Sequence, residues 1–199
     1  MLLTCRYWLT LVVCLVAGAP AIAQPAQVIL IRHGEKTDDD KDVHLSTFGR
    51  CRAAALVPYF LETDALLKFG KPVAIYAQNA PNPKKNSLRP IETIQPLADS
   101  LKLEVQHQTE RDKFQQMVDE VMSNSKYQGK MVVVCWEHER LTEIAPAFLK
   151  YAKNVKGAPK EWKWEGKHFD RTWVITFTDK DNATFEQHLQ RLMFGDSKD

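Results

Sequence analysis

The sequence predicts a single α/β domain of three layers, a mostly parallel central sheet with helices on both faces. Two observations carry this. Apolar runs recur at residues 28–31, 73–76, 131–135 and 173–177, and helical patterns fall between them. The first three runs are nearly continuous in hydrophobicity, as strands covered on both faces are. Residues 103–105 make a weaker strand candidate.

Residues 1–23 read as an export leader. Arg6 gives a positive start, residues 9–18 an apolar run, and Ala21-Ile22-Ala23 a small-x-small cleavage pattern that sets a mature start at Gln24. The run is too short to span a bilayer and no second one follows, so an exported chain, periplasmic or secreted and without stable membrane insertion, is expected. Residues 24–199 then form the domain, a length that suits one core and not two. With Arg6 set aside from the 27 basic residues, 26 face 25 acidic ones. So balanced a chain lacks the basic face that nucleic acid requires, and any anion site has to be built locally. Cys5 and Cys14 lie in the leader; Cys51 and Cys135 remain, either bridged or present as two small apolar side chains.

Ser46 suits the N-cap of a first helix with Ala53, Leu56, Val57, Phe60 and Leu61 on one face. Pro90 suits the first turn of a second, carrying Ile91, Ile94, Leu97, Ala98 and Leu101. Phe114, Met117, Val118 and Val121 mark a third helix, and Leu141, Ile144, Ala145, Phe148 and Leu149 a fourth. Pro96 and Pro146 fall inside two of these patterns and predict a kink or a later helix start. Residues 37–42, 80–86 and 156–167 read as loops, the last with Trp162 and Trp164 packed over the core edge.

Open parallel sheets gather ligands beyond the carboxyl ends of their strands. Arg32 and His33 follow the first strand without a gap, Arg89 stands at the start of the Pro90 helix, and His138 closes the strand "VVVCW". Guanidinium groups and a helix N-terminus together make an anion pocket, so three strand ends deliver Arg, His, Arg and His to one rim. His44, His107, His168 and His188 lack such placement and show no metal-ligand spacing.

These stretches resemble the histidine phosphatase superfamily, the phosphoglycerate mutase-like group. The resemblance rests on "RHGEK" after the first strand, "LSTFGRCRA" opening the next helix, "RPIETIQPLA" at the second-arginine helix, and "EH" at 137–138. It implies phosphoryl transfer through a phosphohistidine at His33, with no metal and no other cofactor, and the expected export favours hydrolysis of phosphomonoesters, an exported phosphatase. Arg32, Arg89 and His138 are implied as phosphate-binding residues, holding the non-bridging oxygens of a small phosphate ester or phosphate ion. Gly34 leaves room for backbone to turn towards the His33 ring. As proton donor, Glu110 in "HQTERDKF" matches one branch of the family, and Glu139, beside Glu137, matches the other. Two departures stand out. Residues 85–89 read "KNSLR", with Lys85 where the family often has serine and Ser87 displaced, and Glu139 follows the second histidine where glycine or aspartate is usual. A non-catalytic phosphate-binding protein of the same fold, or a phosphatase for cell-envelope sugar phosphates, fits the same residues. Oligomeric state is left open by the sequence.

Overall fold

The computed structural model describes residues 24–82 and 86–197. The expected leader and Lys85 lie outside the described residues. Strands β1 (Gln27–Arg32), β2 (Pro72–Ala77), β3 (Val105–Gln106), β4 (Met131–Trp136), β5 (Asn154–Lys156), β6 (Arg171–Phe177) and β7 (Asn182–Leu189) form one sheet in the order β3-β2-β4-β1-β6-β7-β5. The block β3-β2-β4-β1 is parallel throughout, as is the β5–β7 pair. β6 runs antiparallel to both β1 and β7. The sheet is therefore mixed and mostly parallel, within a single α/β domain.

Among the described residues, four α-helices connect these strands: α1 (Thr47–Glu62), α2 (Arg89–Leu101), α3 (Phe114–Ser123) and α4 (His138–Leu149). Alternate residues of a strand point to opposite faces, and β1 divides accordingly. Val28 and Leu30 join a core with Met117 and Val118 of α3 and Ile144 and Phe148 of α4. Ile29 and Ile31 join a second core with Leu56 and Phe60 of α1 and Ile94 and Leu97 of α2. All six residues of β1 and of β4 are buried, which accounts for the unbroken apolar runs.

Ser46 caps α1 as expected, its Oγ accepting from the Gly49 amide at 3.0 Å. Neither Pro96 nor Pro146 starts a new helix; α2 and α4 run on through them. A proline removes one backbone hydrogen bond at about 3 kcal/mol. Buried Ile94, Leu97 and Ala98 around Pro96, and Ala145, Ala147 and Phe148 around Pro146, hold each helix to the sheet on either side. The weak strand at 103–105 shrinks to Val105–Gln106, because Lys102 turns left-handed (φ 55°) and the Leu103 amide closes the end of α2 on the Ala98 carbonyl. β5 and β7 escape the apolar pattern. β5 is three residues long and flanks only β7, while β7 buries Ala183 and Phe185 between more exposed neighbours. Trp162 packs edge-on and Trp164 tilted against Trp173, at 5.5 and 4.7 Å between ring centroids, which makes them core edge. Cys51 is exposed on α1 and Cys135 buried on β4; both are free thiols. No helix among the described residues is long and apolar enough to cross a membrane.

Candidate active site

β1 and β4 lie side by side with Arg32 opposite Trp136, so their carboxyl ends deliver Arg32-His33 and Glu137-His138 to one edge. The His33 amide donates to the Trp136 carbonyl at 3.2 Å, extending the ladder one residue past β1. Two helices begin at the same edge, α2 at Arg89 and α4 at His138. Their N-terminal amides add positive potential where the cationic side chains already converge.

His33 is 5% exposed. Its Nδ1 lies 2.7 Å from the Gly34 carbonyl, an acceptor only, so Nδ1 carries the proton and Nε2 keeps its lone pair. Burial pulls the imidazole pKa down to about 3. The Gly34 bond opposes this, the charges of Arg32 and Arg89 add to it, and Glu137 again opposes it. The ring is therefore neutral across the working range of most enzymes. Its loop is fixed from behind: the Gly34 amide donates to Thr93 Oγ1 at 2.8 Å, and the Thr93 hydroxyl donates to the Arg89 carbonyl at 2.7 Å. Gly34 also meets α1 closely. A side-chain carbon built there would lie 3.0 Å from the Gly49 carbonyl oxygen, and one on Gly49 would lie 2.4 Å from that of Glu35. Glycine at both positions lets the helix and the loop touch.

Arg32 donates from Nη1 to the carbonyls of Gly166 (2.5 Å) and His168 (3.2 Å), with its Cζ 3.8 Å above the Phe169 ring. Burial lowers its pKa to about 10, leaving it charged at neutral pH. Arg89 donates from Nε to Ser87 Oγ at 2.8 Å, and burial lowers its pKa as well. The serine displaced from the family's usual position thus still orients the arginine. Arg32 Nε and Arg89 Nη1 are both buried and make no hydrogen bond. Buried donors are nearly always satisfied, so two orphaned guanidinium atoms beside one neutral imidazole mark a place for an anion.

His138 reaches the same place through Gly166: a side-chain carbon on that glycine would lie 3.4 Å from His138 Nε2, and its carbonyl is the one Arg32 holds. His138 Nδ1 sits 2.8 Å from Glu137 Oε1, an ion-pair contact off the line a hydrogen bond needs. Burial pushes the Glu137 carboxyl up. The His138 contact, the Glu139 amide and the Arg111 charge outweigh it and hold the pKa near 2. Arg111 Nη2 lies 3.0 Å from both Glu137 and Glu139. The donor atoms of Glu137, His138 and Glu139 come within 4.8 Å of one another, a spacing that a metal ion accepts, but the Arg111 guanidinium already bridges the two carboxylates.

The structure thus brings Arg32, His33, Arg89 and His138 together. Glu110 occupies the loop after β3, which the Asn79 amide ties to β2 through the Thr109 carbonyl at 2.7 Å and Trp136 Nε1 ties to β4 through the Arg111 carbonyl at 3.2 Å. Its side chain is 51% exposed and pairs with Lys113 at 2.8 Å. Glu137 is the acid whose charge acts on both His33 and Arg32, and Glu35 also acts on Arg32. Thr93, Gly166, Phe169 and Arg111 enter the site without having been singled out from the sequence. Thr93 carried a legible signal, as a polar residue four positions after Arg89 on the apolar face of α2. Gly166 and Phe169 lie on irregular segments and Arg111 opens a short 3-10 turn, and nothing local marks them. Among the remaining histidines, His44 is exposed and paired with Glu92, and His188 sits beside Glu186.

No protein-family model matches the chain, and no curated protein matches it by sequence. Solved structures do match. Mycobacterial glucosyl-3-phosphoglycerate phosphatase in complex with inorganic phosphate is 15% identical, with a TM-score of 0.53 over 82% of this chain and 96% of that one. The same mycobacterial enzyme with VO3 bound is 12% identical, with a TM-score of 0.51 over 82% of this chain and 98% of that one. At these identities the likeness establishes architecture alone: this chain shares the fold of that phosphatase.

Proposed function

We propose that this protein is an exported phosphatase that hydrolyses phosphomonoesters through a phosphohistidine at His33. The observation that carries the reading is the pair of buried, unbonded donors, Arg32 Nε and Arg89 Nη1, beside a neutral His33 with a free Nε2. A phosphoryl group seated there meets a nucleophile on one side and fixed positive groups on its non-bridging oxygens. Nε2 attacks phosphorus, the bond to the ester oxygen breaks, and the alcohol leaves with a proton. Water then hydrolyses the phosphohistidine in the second half. Arg32, Arg89 and His138 stabilise the charge that spreads over the phosphoryl oxygens, a task needing no metal once two guanidiniums are in place. The mycobacterial relative in fold is a phosphatase that binds inorganic phosphate, which supports the reading.

Glu137 is held ionised and His138 is taken up with the phosphoryl oxygens, so the proton for the departing oxygen comes from a further acid. We assign it to Glu110. Its side chain pairs with exposed Lys113, three residues on, and such a surface pair holds a carboxylate weakly. Glu139 is the competing acid, tied to Arg111 at 3.0 Å. Export rests on the leader pattern of residues 1–23.

Trapping tests the proposal. Brief reaction with a 32P-labelled aryl phosphate, followed by denaturation, should leave an acid-labile, base-stable label on the wild type and none on His33→Ala. Glu110→Gln should slow an ester with a poorly leaving alcohol much more than an activated aryl ester, and Glu139→Gln should not. A wild-type protein that binds phosphate but turns over no ester between about pH 4 and 8 would be a non-catalytic phosphate-binding protein.

A further inference from the structure

A cavity of about 400 Å³ adjoins the phosphate niche, and the residues so far discussed do not fill it. The two share walls. Phe169 touches Arg32 on one side, lies 6.0 Å from the His33 ring between centroids, and lines the cavity, as do Glu35 and His168. The far wall is the C-terminal segment, Phe194 to Ser197.

That wall is anchored. Arg52, 2% exposed on α1, donates to both Glu35 oxygens and to both Asp196 oxygens, at 2.5–3.1 Å. Asp196 in turn accepts from the Leu192 and Met193 amides. One guanidinium thus ties the residue two places after His33 to the chain's last described turn. The clamp satisfies Glu35 and Asp196 and leaves neither seeking a ligand.

Asp170 is different. It lines the cavity, is 3% exposed, and accepts from the Ser197 amide through Oδ2 at 2.6 Å. Its Oδ1 makes no hydrogen bond and sits 3.9 Å from His168 Nδ1. A buried carboxylate oxygen with no donor calls for one from outside. Around it stand Phe48, Phe169 and Phe194, the last 100% exposed. The lining sets the carboxylates of Glu35, Asp170 and Asp196 against the cations Arg52 and Lys167, so its charges nearly cancel and single out neither an anion nor a cation.

Resting on the phosphatase reading, we infer that this cavity is the leaving-group subsite and selects an uncharged, hydroxyl-bearing moiety, a sugar or polyol, whose hydroxyl donates to Asp170 while its C–H faces pack on the phenylalanine rings. The ester phosphate occupies the arginine niche and the alcohol portion extends over Phe169 towards the C-terminal wall. Neutral leaving groups with several hydroxyls are accepted; those carrying a second phosphate, a carboxylate or an ammonium are discriminated against.

The experiment compares kcat/KM of the purified full chain on an aryl phosphate, a hexose phosphate, a glycerol phosphate, phosphoethanolamine and a bisphosphorylated sugar. The hexose and glycerol esters should lead the other two biological esters. Asp170→Asn keeps the shape and replaces the charged acceptor, and Phe194→Ala alters a fully exposed ring that no fold depends on. Either should lower the ratio of hexose-phosphate to aryl-phosphate kcat/KM, about tenfold for Asp170→Asn, the worth of one good hydrogen bond. A preference for the ammonium or bisphosphate ester, or a ratio unmoved in both variants, would overturn the subsite. Absence of turnover on every ester, the aryl phosphate included, would instead remove the phosphatase reading and this inference with it.

Discussion

His33 gives the sharpest quantitative expectation. Its imidazole titrates near 6.5 in an unfolded chain and near 3 in the fold. Between those values the unfolded chain binds a proton that the native state refuses, so native stability falls as pH falls through 6.5 and stops responding to this residue below about 3. At 1.36 kcal/mol per decade, lowering the pH from about 7.5 to 4 should remove about 3 kcal/mol through His33 alone. The perturbation is His33→Gln, which abolishes this titration and leaves the other groups in place. Urea unfolding in phosphate-free buffer at both pH values measures it. The wild type should lose about 3 kcal/mol more than the variant on acidification. Equal losses would refute the claim that burial beside two arginines keeps this ring neutral, and with it the account of the free Nε2.

Three further outcomes follow from the same contacts. Thr93→Val removes the acceptor of the Gly34 amide, leaving a buried N–H unsatisfied at about 1–3 kcal/mol in urea unfolding, and frees the nucleophile loop to shift. A 1 Å displacement of an attacking atom is worth on the order of a hundredfold, so kcat on an aryl phosphate should fall by tens-fold or more, and Thr93→Ser should restore most of it. Arg89→Met should weaken phosphate binding by about one to two orders of magnitude in calorimetry, the worth of its charge-assisted hydrogen bonds. Arg52→Leu strands Glu35 and Asp196 in a buried setting and should lower stability by about 3–5 kcal/mol in urea unfolding.

Much of this molecule was legible residue by residue. The strands β1, β2, β4 and β6 were visible because burial on two faces forces unbroken apolar runs. The four helices were visible because burial on one face forces a 3.6-residue period, with Ser46 and Pro90 marking two of the starts. β5 and β7 were not, since β5 is a three-residue edge strand and β7 beside it is only partly buried, so neither carries such a constraint. Arg32, His33 and His138 could be located at or beyond strand ends, and Arg89 at a helix start, by position alone, and these are the residues that converge in space. Glu110 lies on the same rim but faces Lys113.

The sequence by itself determined the α/β alternation and which residues stand at the carboxyl edge of the sheet, because both follow from periodicities within a dozen residues. Only the tertiary structure decided that Ser87 orients Arg89, that Thr93 joins the nucleophile loop to α2, and that Arg52 clamps Glu35 to Asp196, the last pair 161 positions apart. The physical reason is that a side chain's hydrogen-bond partner and its desolvation are set by whatever the fold packs against it. Neither leaves a periodic trace in the chain that supplies it.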